Sequence, residues 1–339
     1  MIETHQTGSQ IAGAQITGAG LTPDGTPAQR IVLRSDLLEV SVLTLGAILQ
    51  SCRLEGGASC VVGFPTVAGY TDDMRYCGAI VGPVANRLSG AEAMIGAELW
   101  RFVPNEGRNL LHGGSAGFDR RIWQIADIGP AHVTLRLELR HCEGGFPGNR
   151  VFEARYRVEG RQLMLDLVSR TDRPTLANLA PHAYWNLRGE GDIAGHVLRL
   201  AADAVLPVGP DLCPLGAPEP VTGAFDLRQG QQLATGAATY DHNFCTAQGR
   251  VPLRSVATLS VPDAPGVPWL EMATTEPGLQ VYDGARHATR PYFGVAIESQ
   301  CWPDAPRNPD FPSILLTPEN GARVQRTVWT LLSGTGRAQ

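Results

Sequence analysis

Apolar and polar residues alternate one for one in several stretches of this chain. Val133, Leu135, Leu137 and Leu139 fall on one face of an extended segment, and Thr134, Arg136, Glu138 and Arg140 fall on the other. A period of two predicts a half-buried antiparallel strand. Residues 150–158, 162–168, 255–261 and 321–331 alternate less regularly, and 36–45 is a further candidate. No amphipathic run with capping residues at its ends predicts a long helix, and the strand–helix alternation of a parallel sheet is missing. The pattern predicts an all-β chain of large antiparallel sheets packed face to face. The 39 glycines and 25 prolines are spread along the sequence, as short strands joined by turns require. Residues 201–230 are the longest expected irregular stretch. They read as an excursion between strands rather than a boundary, so residues 1–339 are read as one domain.

Composition narrows the function. The chain is 43% hydrophobic and carries a net charge of −5 with no basic run, which argues against a nucleic-acid partner. No apolar stretch approaches the roughly 20 residues that span a bilayer. The start, MIETHQTGSQ, has neither a basic region nor an apolar core, so no secretory signal is expected. All 28 basic residues are arginine. That excludes a lysine Schiff base, pyridoxal phosphate attachment and a Walker A loop. The seven cysteines form no CxxC pair, so reduced thiols and a cytoplasmic location are expected. There is no HExxH zinc signature.

Several strings carry chemistry. PHAYWNLRG (181–189) holds His182, which titrates near neutral pH and so can serve as acid or base. His112 in NLLHGG, Asp241 in YDHNF and Glu298 in GVAIESQ are remote partners for it. Alternation sends His182 and Tyr184 to one face and Trp185 to the other; alone, His182 reads as a packed core residue before it reads as a catalytic one. Glu298 interrupts a near-apolar strand. A carboxylate there is costly to bury unless paired, and burial raises its pKa toward that of a neutral-pH base. GPVANRLSG (82–90) offers Asn86 and Arg87 in a glycine-bounded turn, suited to a polyhydroxylated ligand or to a surface ion pair. Gln280 follows a Pro-Gly turn and reads as a ligand contact or a solvated strand end. GGSAG (113–117) matches GxSxG, but a nucleophile elbow at Ser115 needs an α/β context that this pattern lacks.

Taken in order, the strings ANR, LHGG followed by GFD, HAYWNL, YDHNF, PGLQVY, and ESQ ahead of FPS resemble the aldose 1-epimerase (galactose mutarotase) family, from about Ala14 to Trp329. The resemblance implies a β-supersandwich with a sugar site in an open cleft. It implies Glu298 as catalytic base and His182 as catalytic acid in α/β anomer interconversion. Asn86, Arg87, His112, Asp241 and Gln280 would hold sugar hydroxyls and orient the ring. No metal or other cofactor is implied. The expected partner is a small-molecule sugar, without nucleic acid or membrane, for a monomer or homodimer. Pro83, Asp283 and Ala285 depart from the family pattern and leave sugar preference open. A sugar-phosphate 1-epimerase and a non-catalytic sugar-binding protein are the alternatives on the same fold.

Overall fold

The predicted alternation becomes burial. In the strand His132–Leu139, Val133, Leu135, Leu137 and Leu139 face inward, and the residues between them are half-buried or exposed. Each such side chain removed from water contributes about 1.5–3 kcal/mol. The computed structural model describes residues 9–11, 14–234 and 238–333. The N-terminal stretch read for a leader lies largely outside them. Every pairing between the described strands is antiparallel.

Three sheets carry the architecture. A five-stranded meander runs in sequence order through Ser9–Ile11, Ala14–Leu21, Pro27–Arg34, Leu38–Leu43 and Leu49–Leu54. A nine-stranded sheet begins with Gln124–Gly129, His132–Leu139, Arg150–Glu159 and Gln162–Thr171. It then takes the late strand Arg323–Leu332 as neighbour, followed by Trp269–Thr274, Arg254–Ser260, Val197–Leu200 and Gln231–Gln232. A six-stranded sheet is built around Val295–Gln300, Gly278–Tyr282 and Asp241–Cys245.

One apolar cluster joins all three sheets, including Leu33 and Val40, Leu165 and Trp329, Leu279 and Val281. Trp185 meets Trp329 at 5.8 Å between ring centroids, across the gap between the six- and nine-stranded sheets. The Tyr156 hydroxyl donates to the Ala47 carbonyl at 2.9 Å and ties the meander to the nine-stranded sheet.

The alternating stretches of the sequence match strands Leu38–Leu43, His132–Leu139, Arg150–Glu159, Gln162–Thr171, Arg254–Ser260 and Arg323–Leu332. Alternation does not find Leu49–Leu54, whose first four residues are covered on both faces. Residues 201–230 are mostly irregular, with two short strands at Ala204–Val205 and Glu219–Pro220 that extend the six-stranded sheet.

Candidate active site

The strand Val295–Gln300 is buried along its whole length. It pairs with Tyr184–Trp185 on one side and Gly278–Tyr282 on the other. Gln280 lies directly opposite Glu298, and Asp241 opposite Tyr282. Leu279, Val281 and Ile297 alternate with them and enter the core. The pleat therefore closes the core with one face and presents Asp241, Gln280 and Glu298 on the other.

That face borders a cleft of ≈ 740 Å³. All seven residues chosen from the sequence line it: Asn86, Arg87, His112, His182, Asp241, Gln280 and Glu298. His182 follows the short strand Ala180–Pro181, and its Nε2 lies 3.5 Å from Glu298 Oε1. Both side chains are buried. Tyr184 stays on the His182 side, 5.1 Å away between centroids, while Trp185 turns into the core.

Burial sets the charge state of the pair. It lowers the His182 pKa to about 4. It raises Glu298 well above its ordinary value, with the nearby Asp241 carboxylate adding to the rise and Arg87 opposing it. A lone charge on either partner is penalised, so the pair together favours holding one proton.

The opposite wall comes from Arg87–Leu88 and Leu110–Leu111, which pair with each other. The His112 backbone N–H donates to the Asn86 carbonyl, and the Asn86 N–H donates to His112 Nδ1, each at 3.1 Å. Nδ1 is therefore an acceptor, and the neutral ring carries its proton on Nε2. Burial, with His182 adding to it, holds the His112 pKa well below the usual value and keeps the ring a neutral donor. Asn86 and His112 both have left-handed backbone, at φ 61° and 50°. The following Gly113, at φ 81°, is required: an added Cβ would sit 2.3 Å from the Gly82 carbonyl oxygen.

Two contacts fix the polar groups. Arg87 forms a two-pronged ion pair with Glu106, Nε to Oε2 at 2.6 Å and Nη2 to Oε1 at 2.8 Å. Gln280 Nε2 donates to Asp241 Oδ1 at 2.8 Å. Burial raises the Asp241 pKa; Arg87 and the Gln280 bond oppose the rise.

The sequence reading missed Glu106, Tyr76, Arg75 and Arg286, which also line the cleft. Glu106 stands six positions before His112 in the string NEGRNLLHGG, and that acid was the available signal. Tyr76, stacked 5.9 Å from His182 and edge-on 4.7 Å from His112, gave no signal in sequence. Ser115 is exposed on a short 3₁₀ turn outside the cleft, without the strand–serine–helix context of a nucleophile elbow. Asp283 is buried and accepts from the backbone N–H groups of Tyr240 and Ala285, so this departure from the family pattern holds a turn.

The aldose 1-epimerase family profile matches residues 29–326. The chain belongs to the aldose 1-epimerase family. It is 34% identical over 333 residues to galactose mutarotase of Mus musculus, covering 91% of this chain and 95% of that one. It is 31% identical over 318 residues to aldose 1-epimerase of Escherichia coli (strain K12), covering 86% and 91%. The crystal structure of galactose 1-epimerase from Lactobacillus acidophilus NCFM superposes with a TM-score of 0.82 at 26% identity, covering 96% of this chain and all of that one. The expected β-supersandwich of the aldose 1-epimerases is the fold observed. Among the described residues, no group of three or more His, Cys, Asp and Glu is placed to hold a metal ion, and no helix is long and apolar enough to cross a membrane.

Proposed function

We propose that the chain interconverts the α and β anomers of a free aldose by acid–base ring opening and reclosure, acting as a single domain in a reducing cytoplasm. Glu298 takes the proton of the anomeric hydroxyl while His182 gives one to the ring oxygen. The bond between C1 and the ring oxygen breaks and the open aldehyde forms. Rotation about C1–C2 presents the other carbonyl face, and reclosure returns both protons. The observation that carries this reading is the buried His182–Glu298 contact of 3.5 Å, on the wall of a cleft otherwise lined by hydroxyl-binding groups.

A pair holding one proton supports the chemistry. The form with Glu298 ionised and His182 protonated is the working one, and a turnover leaves its net charge unchanged. Each positioned acid or base contributes roughly 10²–10⁴-fold. His112 offers its Nε2–H, and Asn86, Arg87, Asp241 and Gln280 hold the sugar hydroxyls and so the ring orientation.

Arg75 and Arg286 on the same cleft favour a second reading, a phosphorylated aldose. Polarimetry on freshly dissolved α-D-glucose, α-D-galactose, a pentose panel and a hexose 6-phosphate separates the two. Faster approach to equilibrium for a free sugar supports the proposal, and a clear preference for the 6-phosphate replaces it with the second reading. Sugar binding by calorimetry with no acceleration would leave a binding protein instead.

A further inference from the structure

A second cleft, of ≈ 400 Å³, opens on the five-stranded meander away from the catalytic groups. Its floor follows from strand register. Ser41 lies opposite Ser51, and Glu39 opposite Arg53; Arg30 lies opposite Leu43 on the same face. The alternate residues Ile31, Leu33, Val40, Val42 and Cys52 enter the core. Polar and basic side chains thus share this sheet face with a second apolar cluster that holds Leu43. Arg290, exposed on the loop before Val295–Gln300, joins them in lining the cleft.

Arg30 Nη2 donates to the Pro65 carbonyl, but other donors here lack acceptors. Arg30 Nε, Ser51 Oγ and Arg53 Nε are buried and have no hydrogen-bond partner among the described residues. Ser51 as a whole is only 6% exposed. Glu39 stands 3.7 Å from Arg53 Nε, but it is engaged more closely by Arg34 at 2.8 Å. Glu190 is the one carboxylate among the residues lining the cleft, and it is exposed. Three guanidinium groups and an unpartnered hydroxyl ask for a compact ligand rich in acceptor oxygens. Buried donors without acceptors carry a desolvation cost that such a ligand would remove.

We propose that this cleft is a second, non-catalytic site for a phosphate-type oxyanion, free or as the ester of a small metabolite. Arg30, Arg53, Arg290 and Ser51 all line the cleft, and guanidinium forks match phosphate oxygens in geometry and charge.

Isothermal titration calorimetry of the full chain at constant ionic strength tests this, with inorganic phosphate in one arm and D-glucose 6-phosphate in the other. The expected result is saturable one-to-one binding of at least one probe. Binding to phosphate identifies the free anion as sufficient, and ester-only binding that Arg53→Gln weakens assigns the site to a phosphorylated metabolite. Arg53→Gln weakens binding about tenfold or more. Ser51→Ala, which removes one hydroxyl and leaves the charges in place, weakens it by less and carries the comparison if Arg53→Gln misfolds. Arg286→Gln, on the catalytic cleft, leaves the binding of inorganic phosphate unchanged. No saturable heat from either probe overturns the proposal. So does binding that survives Arg53→Gln and Ser51→Ala at wild-type strength, or binding of inorganic phosphate that is lost in Arg286→Gln, since the anion then sits elsewhere.

Discussion

At the scale of single residues, the site depends on keeping two ionisable groups where water would not. The Glu298 carboxyl ionises near 4.5 in the unfolded chain, and burial moves its folded value well above that. Folding must therefore retain a proton there, and this group's contribution to stability falls as pH rises from about 4.5 toward the folded value. Glu298→Gln removes the cost of holding that proton at neutral pH while keeping the shape. Its melting temperature at pH 7 is expected to rise by about 2 °C, read by differential scanning calorimetry. A lower melting temperature would mean that the carboxylate is paid for by contacts the amide cannot make.

The same pair sets a pH profile. His182 takes up a second proton on the pair only near pH 4, because burial opposes its charge. Asp241, Arg87 and His112 face the pair, and burial keeps His112 neutral across the same range. The rate constant kcat/KM is expected to fall on the acid side near pH 4, to stay level through neutral pH, and to fall again only above the normal carboxylate range. A profile centred on the ordinary histidine value near 6.5 would show that the two groups titrate independently.

At the scale of elements, each sheet strand works twice. Alternation along Gly278–Tyr282 and Val295–Gln300 sends Leu279, Val281 and Ile297 into the core and Gln280 and Glu298 into the cleft. The loops act through backbone geometry. Gly113 follows His112 in a left-handed turn packed on the Gly82 carbonyl, where no side chain fits. Gly113→Ala is expected to shift His112 and lower kcat/KM by about 10²-fold, with a depressed melting temperature. Wild-type kinetics in that variant would show that the turn does not position the imidazole.

Legibility from sequence followed the same division. Strands with one wet face, such as His132–Leu139, announced themselves by alternation. Leu49–Leu54 did not, because coverage on both faces erases the period. The seven residues proposed for the site were chosen because their strings recur in a known order, and all seven line one cleft. Tyr76 and Arg286 reach the cleft only through the path of the chain in space, and nothing local marks them.

At the scale of the whole molecule, three sheets share one apolar core, and the groups proposed as catalytic come from segments far apart in sequence. Asn86 and His112 come from one wall, His182 from a link between short strands, and Asp241, Gln280 and Glu298 from the six-stranded sheet. The groups are brought together only when the fold is complete, so the activity belongs to the assembled supersandwich and not to any hairpin of it. The central claim is that His182 and Glu298 open the sugar ring as acid and base. The most direct measurement is polarimetry of freshly dissolved α-D-galactose with the wild-type chain, Glu298→Gln and His182→Asn in parallel. The account predicts acceleration by the wild type and a loss of roughly 10²–10⁴-fold in kcat for each variant. Wild-type rates in either variant would contradict it.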